Sequence, residues 1–336
     1  MDAELFFEIG TEEIPSGYLE DGLEAFKRLV DNSLQEGRIA RTGILETYGT
    51  PRRLILVGEG ISKIQEELIE EIWGPPKSVA FDEKGVPTKA AQGFAAKQGV
   101  KTDDLKCADT PKGEYVYVKR KVPGRPTQEV LAEALPGTVA EIPWPKSMRW
   151  GDTGFPFVRP IHWLVALFDG EIIPFEIAGV RSGRVTRGHR FMGSSALEVT
   201  DFRDYRKKMK DHFVVIDPEE RKEMVRNGIQ EAAKREGGVP SSDPELVSTV
   251  SNLVEFPSPV CGGFDPAFLD LPDSVLTTAM KEHQKYFSVY DDQGRLMPRF
   301  VAVNNTLAKD ERVVQKGHER VLRARLADAD FFFKED

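Results

Sequence analysis

Apolar and polar positions in the first part of the chain follow the period of a strand and then that of a helix. Residues 3–10 form a largely apolar run of strand length. Apolar residues then recur three and four positions apart, which predicts a helix from Pro15 to about Gln35. Residues 61–73 fit either a helix or a strand, because their spacing suits a helix and the Gly-Pro-Pro that follows permits a strand.

The same two periods continue to the end of the chain. They predict further strands over residues 44–48, 53–59, 114–122, 213–216, 254–261, 286–290 and 299–304. They predict further helices over residues 89–98, 127–139, 201–212, 218–235, 273–283 and 309–336, and one more that begins at Pro244. The dipeptide Asp169-Gly170 predicts a tight turn between two strands within residues 159–177.

Strands and helices therefore interleave without the regular cadence of a parallel sheet. This order predicts an α+β fold with mixed sheets and packed helices in two or more domains, ending in a long helix. A chain of 336 residues can form more than one core, and a Pro-rich passage at 142–145 supplies a break. We expect an N-terminal α+β domain over 1–145, a second α+β domain over 146–308, and a helix over 309–336.

The last predicted helix has two contrasting faces. Leu322, Leu326, Ala329 and Phe333 share an apolar face for which the sequence offers no later partner. We therefore expect this helix to lead into a missing C-terminal region, with its last turns poorly covered. The other face is basic and consists of Arg312, Lys316, Arg320 and Arg323. It is either a solvated face or a surface for RNA or a partner subunit.

Composition restricts the classes of protein that fit. The formal net charge of −9 argues against a coat of basic residues for nucleic acid, so any RNA affinity must come from local patches. Two cysteines cannot form a disulfide framework, and a reducing cytoplasm is the simplest location. No apolar run has the length of a membrane span. The five histidines are widely separated and predict no metal site.

Basic residues beside a predicted core strand are the first candidates for binding. Lys146, Arg149 and Arg159 lie close to the apolar run 163–168. Cations are rarely buried unless they are paired, so these residues either form internal ion pairs or face a partner such as phosphate. His162 precedes the apolar run, and we interpret it as a hydrogen-bonded core residue.

Two further groups of cations allow a phosphate contact. Arg52 and Arg53 either protect a strand edge from aggregation or contact phosphate. Arg187, His189 and Arg190 surround a glycine in a pattern that resembles a phosphate-binding loop.

The positions of Lys281 and Lys285 have a simpler explanation than phosphate contact. They flank His283 near the end of a predicted helix, where cations complement the helix dipole. We keep both among the candidates for phosphate contact.

Short blocks spread over the whole chain carry a family resemblance. The blocks are Leu5–Pro15, Thr50–Leu54, Gly74–Pro76, Pro87–Ala95, Pro145–Asp152, Phe157–Phe168, Thr186–Phe191, Glu282–Phe287 and Glu319–Ala329. In this order they resemble the β subunit of bacterial two-subunit glycyl-tRNA synthetase, although His318 stands where Asn is expected. The family's β subunit is longer than this chain, so the resemblance implies an N-terminal part of it.

The resemblance implies part of a glycine–tRNA ligase, an aminoacyl-tRNA synthetase of the cytoplasm. In the implied α2β2 assembly the α subunit carries ATP, with Mg²⁺, and glycine, while the β subunit binds tRNA-Gly. We therefore expect no catalytic residue, metal or cofactor in this chain, no activity of the chain alone, and neither DNA nor a membrane as partner. The candidates for tRNA contact are Arg52, Arg53, Lys146, Arg149, Arg159, Arg187, His189, Arg190, Lys281, Lys285, Arg320 and Arg323.

Two other functions stay open at this level. An interaction scaffold without an RNA role fits the acidic composition, but it leaves the basic clusters unexplained. A hydrolase of phosphoesters would need metal ligands, and the sequence contains no His-Asp pair. It also contains no Gly-x-x-x-x-Gly-Lys-Ser/Thr phosphate loop.

Overall fold

The computed structural model describes residues 2–335 and confirms the predicted α+β class. Helices α1 to α9 are Leu19–Glu36, Lys77–Ala80, Lys89–Gln98, Thr127–Ala140, Phe202–Asp211, Pro218–Arg235, Pro244–Ser251, Asp273–Thr278 and Glu311–Glu335. Short 3-10 helices cover Ser16–Tyr18, Thr102–Asp104 and Pro266–Asp270, and a π-helical turn over Ala279–His283 continues α8.

Most strands belong to three sheets. Strands β1 to β16 are Asp2–Thr11, Leu45–Thr50, Arg53–Ser62, Leu68–Pro76, Lys106–Thr110, Gly113–Val122, Ile161–Phe168, Glu171–Ile172, Glu176–Ile177, Val180–Gly183, Val185–Thr186, Leu197–Glu198, Val239–Pro240, Ser258–Gly263, Phe287–Tyr290 and Leu296–Asn304. The first sheet has the order β2-β3-β1-β7-β10-β9, with β8 beside β7. The second has the order β13-β15-β16-β14, the third β4-β6-β5, and β11 pairs with β12.

The first sheet is covered on both faces because β1 presents apolar residues to each side. Phe7 and Ile9 pack with α1 and α4, whereas Phe6 packs with Tyr205 of α5. Successive side chains of a strand alternate between faces, so Glu8 lies on the same face as Phe6. Glu8 is fully buried there, and its carboxylate therefore needs a partner.

The second sheet is also covered on both faces, by α6 and α7 on one and by α8 and α9 on the other. Leu322 and Leu326 of α9 are fully buried in a cluster with Met280 and Phe300. The expectation that the apolar face of the last helix is poorly covered is wrong for these two leucines, because α9 folds back on the preceding sheet. Phe331–Phe333 are exposed by 60%, 67% and 49%.

Some segments differ from their predicted structure. The ambiguous segment before Gly-Pro-Pro forms strand β4. The strand predicted over 213–216 is absent, because Phe213 has φ of +60° and Val214 N–H donates to the Met209 carbonyl at the end of α5. Strand β5 was not predicted, since it is short and mostly polar and lacks an apolar period.

The predicted domain limits cross the observed sheets. β7 follows residue 145 in the chain but pairs with β1 in the first sheet, and α9 packs on the second sheet. Strand pairing does not show which segments fold independently. The division at residues 145 and 308 therefore stays a prediction.

Candidate functional site

Trp163 forms the floor of a cluster of basic residues. Thr50, Arg53, Gly10 and Trp163 lie side by side on the neighbouring strands β2, β3, β1 and β7. The Trp163 ring covers Gly10 so closely that a Cβ atom there would lie 1.9 Å from the ring. Glycine at this position therefore allows the indole to lie across the sheet.

Arg53 is fully buried and fully paired. Its Nε donates to Glu255 Oε1 at 2.8 Å, and its Nη1 lies 3.1 Å from Glu8 Oε1. The same Nη1 donates to the Arg187 carbonyl at 2.7 Å. Two carboxylates and a carbonyl thus compensate for the removal of this guanidinium from water. Because Arg53 does not reach the surface, we assign it a structural role and remove it from the candidates for phosphate contact.

Other elements hold the two carboxylates in place. Tyr205 of α5 donates to Glu8 Oε1 at 2.8 Å, and Thr50 donates to Glu255 Oε1 at 2.7 Å. Burial alone would raise the pKa of Glu255, but the Arg53 guanidinium lowers that pKa below its ordinary value. Glu255 lies between α7 and β14. The network therefore joins the first sheet to the segment that leads into the second.

Arg52 is next to Arg53 but has a different environment. It lies in the two-residue turn between β2 and β3 and is only 5% exposed. Its Nε is buried without a hydrogen-bond partner, and its one ion pair within residues 2–335 is a 3.9 Å contact with Glu13 Oε1. Burial lowers the pKa of Arg52 below its ordinary value. Arg52 is thus enclosed by protein and incompletely paired.

Arg187 is the second incompletely paired arginine of the cluster. It is half-buried, and its side chain has no ion pair in the part of the chain that the structure describes. The Cζ atoms of Arg187 and Arg52 lie 5.2 and 5.6 Å from the centroid of the Trp163 ring. Cation–π attraction holds both guanidinium groups against the ring and leaves their N–H donors available.

Two carboxylates close the other side of the cluster. Arg190 donates to Glu12 and, at 2.9 Å, to Glu13 Oε1. His162 Nε2 lies 2.8 Å from Glu12 Oε1. Partial burial alone would raise the pKa of Glu12, but hydrogen bonds from groups that include Arg190 and His162 lower it to about 2. The interpretation of His162 as a core residue is wrong, because its side chain is 36% exposed and contacts Glu12.

His189 lies at the edge of the cluster, and it has no free ring nitrogen for a ligand. It is 1% exposed, its Nε2 lies 3.1 Å from Asn305 Oδ1, and its Nδ1 accepts the Phe191 N–H at 3.2 Å. Asn305 Oδ1 also accepts the N–H groups of Glu255 and Phe256. The loop after β11 is therefore fixed to the segment that carries Glu255. Both ring nitrogens of His189 are occupied, so we assign this candidate a structural role as well.

A cavity of about 180 Å³ lies between these groups. Its lining residues are Glu12, Arg52, His162, Arg187, Gly188, His189, Arg190, Gly193, Ser194 and Ser195. Three guanidinium groups and one carboxylate line it, so its electrostatic character is positive. Such a lining suits an anion that accepts hydrogen bonds from several donors.

Three other candidates lie beside this cluster. Arg159 Nε donates to the Glu13 carbonyl at 2.8 Å, which joins it to the same group. Arg149 is exposed and donates to the Gly154 carbonyl at 2.7 Å. Lys146 is exposed in the same loop. The structure thus brings Arg159 to the cluster and leaves Lys146 and Arg149 on a neighbouring surface loop.

Lys281 and Lys285 are paired with carboxylates within the chain. Lys281 Nζ lies 2.7 Å from Asp243 Oδ2, and Lys285 Nζ lies 3.8 Å from Glu282 Oε2. These contacts favour a structural role for Lys281 above all, since its partner belongs to another element.

Arg320 and Arg323 lie at a separate cleft along α9. Together with Lys316 they line an open cleft of about 500 Å³. Asp265 and Glu319 also line it, and Glu319 Oε1 accepts the Gly263 N–H at 2.9 Å. These three cations outnumber the two carboxylates, so the basic face is incompletely neutralised.

The acidic partners of the arginines were not found from the sequence. Glu8 gave a usable signal, because a single acidic residue interrupts an apolar strand and must find a buried cation. Glu12 and Glu13 adjoin that strand, but nothing in the sequence pairs them with Arg190. Glu255 follows Arg53 by 202 positions, and no local pattern links the two.

Two kinds of feature are absent from the residues that the structure describes. Within residues 2–335, no group of three or more His, Cys, Asp and Glu side chains is placed to hold a metal ion. No helix in that range is both long enough and apolar enough to cross a membrane.

Comparison with known proteins identifies the family. A family model described as "Glycyl-tRNA synthetase beta subunit" matches residues 5–336. The chain belongs to this family. The resemblance found in the sequence blocks is thereby confirmed.

Relatives within the glycyl-tRNA synthetase beta subunit family match the chain along its whole length. "Glycine--tRNA ligase beta subunit" of Geobacter sulfurreducens is 50% identical over 336 residues, and that of Syntrophotalea carbinolica is 48% identical. The same-named protein of Syntrophus aciditrophicus is 46% identical. Each match covers all of this chain and 49% of the relative, so the chain spans about half the length of these relatives.

Proposed function

We propose that this chain forms the tRNA-binding and assembly part of a glycine–tRNA ligase, the aminoacyl-tRNA synthetase that attaches glycine to tRNA-Gly with ATP. Membership of a beta-subunit family supports an α subunit as its partner. In this proposal the α subunit supplies the ATP, Mg²⁺ and glycine site within an α2β2 assembly. This chain contributes no catalytic residue.

The observation that carries the tRNA-binding part is the incomplete pairing of several arginines on an acidic chain. Arg52 and Arg187 line a positive cavity, and Arg320 and Arg323 line an open cleft. A net charge of −9 gives no general attraction to RNA. Local groups of unneutralised guanidinium are the arrangement that still supplies phosphate contacts.

Binding of tRNA-Gly at several salt concentrations tests this proposal. The protein is measured together with its α subunit, and the logarithm of the association constant should fall linearly with the logarithm of the salt concentration. The slope should be about −0.7 to −0.9 per phosphate contacted. A scaffold without an RNA role would instead bind the α subunit normally and show no tRNA binding, which would refute the proposal.

A further inference from the structure

Arg52 lacks the close carboxylate partners that its neighbour Arg53 has. Arg53 is buried with two carboxylates, whereas Arg52 is 5% exposed, has an unpartnered Nε and, among residues 2–335, pairs only with Glu13 at 3.9 Å. Removing a guanidinium from water is costly unless a counter-ion and hydrogen bonds replace the water. Arg52 lines the cavity beside Trp163, so an anion in that cavity would supply the close counter-ion that the protein does not.

The size of the cavity limits the anion to a single group. About 180 Å³ is below the roughly 300–1,000 Å³ of typical small-molecule sites, so a whole nucleotide does not fit. The lining offers guanidinium groups from separate segments, the β2–β3 turn with Arg52 and the loop with Arg187 and Arg190. A carboxylate has two oxygens, whereas a terminal phosphate has three that can accept from such separate donors.

We propose that this cavity is a binding site for one phosphate group that enters end-on, as free phosphate or as a terminal phosphomonoester. Arg52 and Arg187 donate to the phosphate, and the Trp163 ring fixes the position of both guanidinium groups. The carboxylate of Glu12 opposes the anion, but Arg190 and His162 bind it and reduce the repulsion. This site is inferred from the cavity itself, whichever molecule carries the phosphate. The inference therefore goes beyond the proposed function.

Calorimetric titration with inorganic phosphate in a chloride buffer tests the site directly. The unaltered protein should give a saturable isotherm, and Arg187→Gln should weaken phosphate binding about tenfold to hundredfold, as expected when a hydrogen bond to a charged group is removed. Arg187 is chosen because its side chain has no ion pair within residues 2–335, so its replacement disturbs folding least. Thermal unfolding of the variant verifies this.

Arg181→Gln is the matched control. It makes the same change of charge, but Arg181 is 87% exposed, pairs with Glu176 and does not line the cavity. Arg187→Lys keeps the charge and should still bind phosphate more weakly than the unaltered protein, because an ammonium group lacks the planar donor fork. A flat titration of the unaltered protein, or equal phosphate affinities of Arg187→Gln and Arg181→Gln, would overturn the proposal.

Two forms of tRNA-Gly, with and without the terminal 5′ phosphate, then identify the source of the phosphate. If the RNA end enters the cavity, removal of this phosphate should weaken binding to the unaltered protein and have no effect on Arg187→Gln. If a small phosphate compound is the ligand, both tRNAs should bind alike while the phosphate isotherm still depends on Arg187. Each result supports the site. Complete absence of tRNA binding would refute the proposed function and leave the phosphate isotherm unaffected.

Discussion

The cavity beside Trp163 and the cleft along α9 present incompletely neutralised arginines in opposite settings. Arg52 and Arg187 are held against an aromatic ring in a small cavity, and their positions are set by the sheet beneath. Arg320 and Arg323 are exposed on a helix face that lines an open cleft. The first arrangement suits one anion of defined shape, whereas the second attracts a polyanion through charge density.

The difference arises from what lies under each group. Beneath the cavity, Arg53 and its two carboxylates form a buried network, and Gly10 makes room for the Trp163 ring. Beneath the cleft, Leu322 anchors α9 in an apolar core that leaves the basic side chains exposed. Changes to the buried layer should therefore abolish the cavity, while changes on α9 should affect only binding.

Arg53→Met should have the largest effect on stability. It leaves the carboxylates of Glu8 and Glu255 buried without their cation, which typically costs about 3–5 kcal/mol in the free energy of unfolding. Chemical denaturation followed by circular dichroism measures this decrease. Arg120→Met is the control, because Arg120 forms an exposed ion pair with Glu70 and should change the free energy of unfolding by at most about 1 kcal/mol. Similar decreases for both variants would show that the buried network contributes little.

Gly10→Ala should disturb the cavity beside Trp163 but not the cleft along α9. A methyl group at this position overlaps the Trp163 ring and should cost about 1–3 kcal/mol in the free energy of unfolding. The ring must move, so the fluorescence of Trp163 should change and phosphate affinity should fall. Gly137→Ala in α4 is the control: within residues 2–335, a Cβ atom there would have no neighbour within 4 Å apart from the adjoining helix backbone, and alanine should be neutral or slightly stabilising in the helix. Unchanged phosphate affinity in Gly10→Ala would contradict the role of the ring.

The double change Arg320→Ala and Arg323→Ala should weaken tRNA binding with little effect on folding. The salt dependence should decrease by roughly one ion for each phosphate that the variant no longer binds. The free energy of unfolding should stay within about 0.5 kcal/mol, as for other surface changes. Arg325→Ala is the control, since Arg325 is exposed on the same helix but does not line the cleft. Unaltered tRNA affinity in the double variant would show that this face is merely solvated.

Local signals in the sequence were sufficient for elements with their own boundaries. Helix α3 has the predicted limits, because Thr88 caps its first turn and Gly99 ends it in a left-handed conformation. The apolar segment 213–216 was misassigned as a strand because its burial comes from packing beneath the first sheet rather than from strand pairing. The spacing of its apolar residues is the same whether the segment packs beneath a sheet or pairs as a strand.

The candidate site was harder to predict than the helices and strands, because its geometry depends on tertiary structure. The sequence allowed the same two roles for Arg52 and Arg53, strand-edge protection or phosphate contact, yet one lies in a turn beside a cavity and the other lies in a strand beneath it. Strand register decides between these positions, and no local pattern shows it. Glu255 lies 202 positions after Arg53, in the segment between α7 and β14, so the buried ion pair had no sequence signal.

The pairing of Glu12 with Arg190 gives the smallest of the four expected effects and decides which of its two carboxylate partners holds Arg190. The folded-state pKa of Glu12, about 2, lies below its ordinary value of 4.5. Its stabilising contribution is therefore fully present above about pH 4.5 and disappears as pH falls toward 2. Arg190→Ala should raise the pKa of Glu12 toward 4.5 and thereby remove most of this pH-dependent contribution.

Carbon-13 NMR titration of the glutamate carboxyl groups measures this pKa. Arg159→Ala is the control, because Arg159 donates to the Glu13 carbonyl and should leave the titration of Glu12 unchanged. If the pKa of Glu12 stays near 2 in Arg190→Ala, then the remaining hydrogen bonds to Glu12, which include that of His162, hold the carboxylate ionised. The contact of Arg190 with Glu13 Oε1 at 2.9 Å would in that case be the one that matters for this guanidinium. If the pKa rises, Arg190 is committed to Glu12, and only Arg52 and Arg187 distinguish the cavity from the cleft.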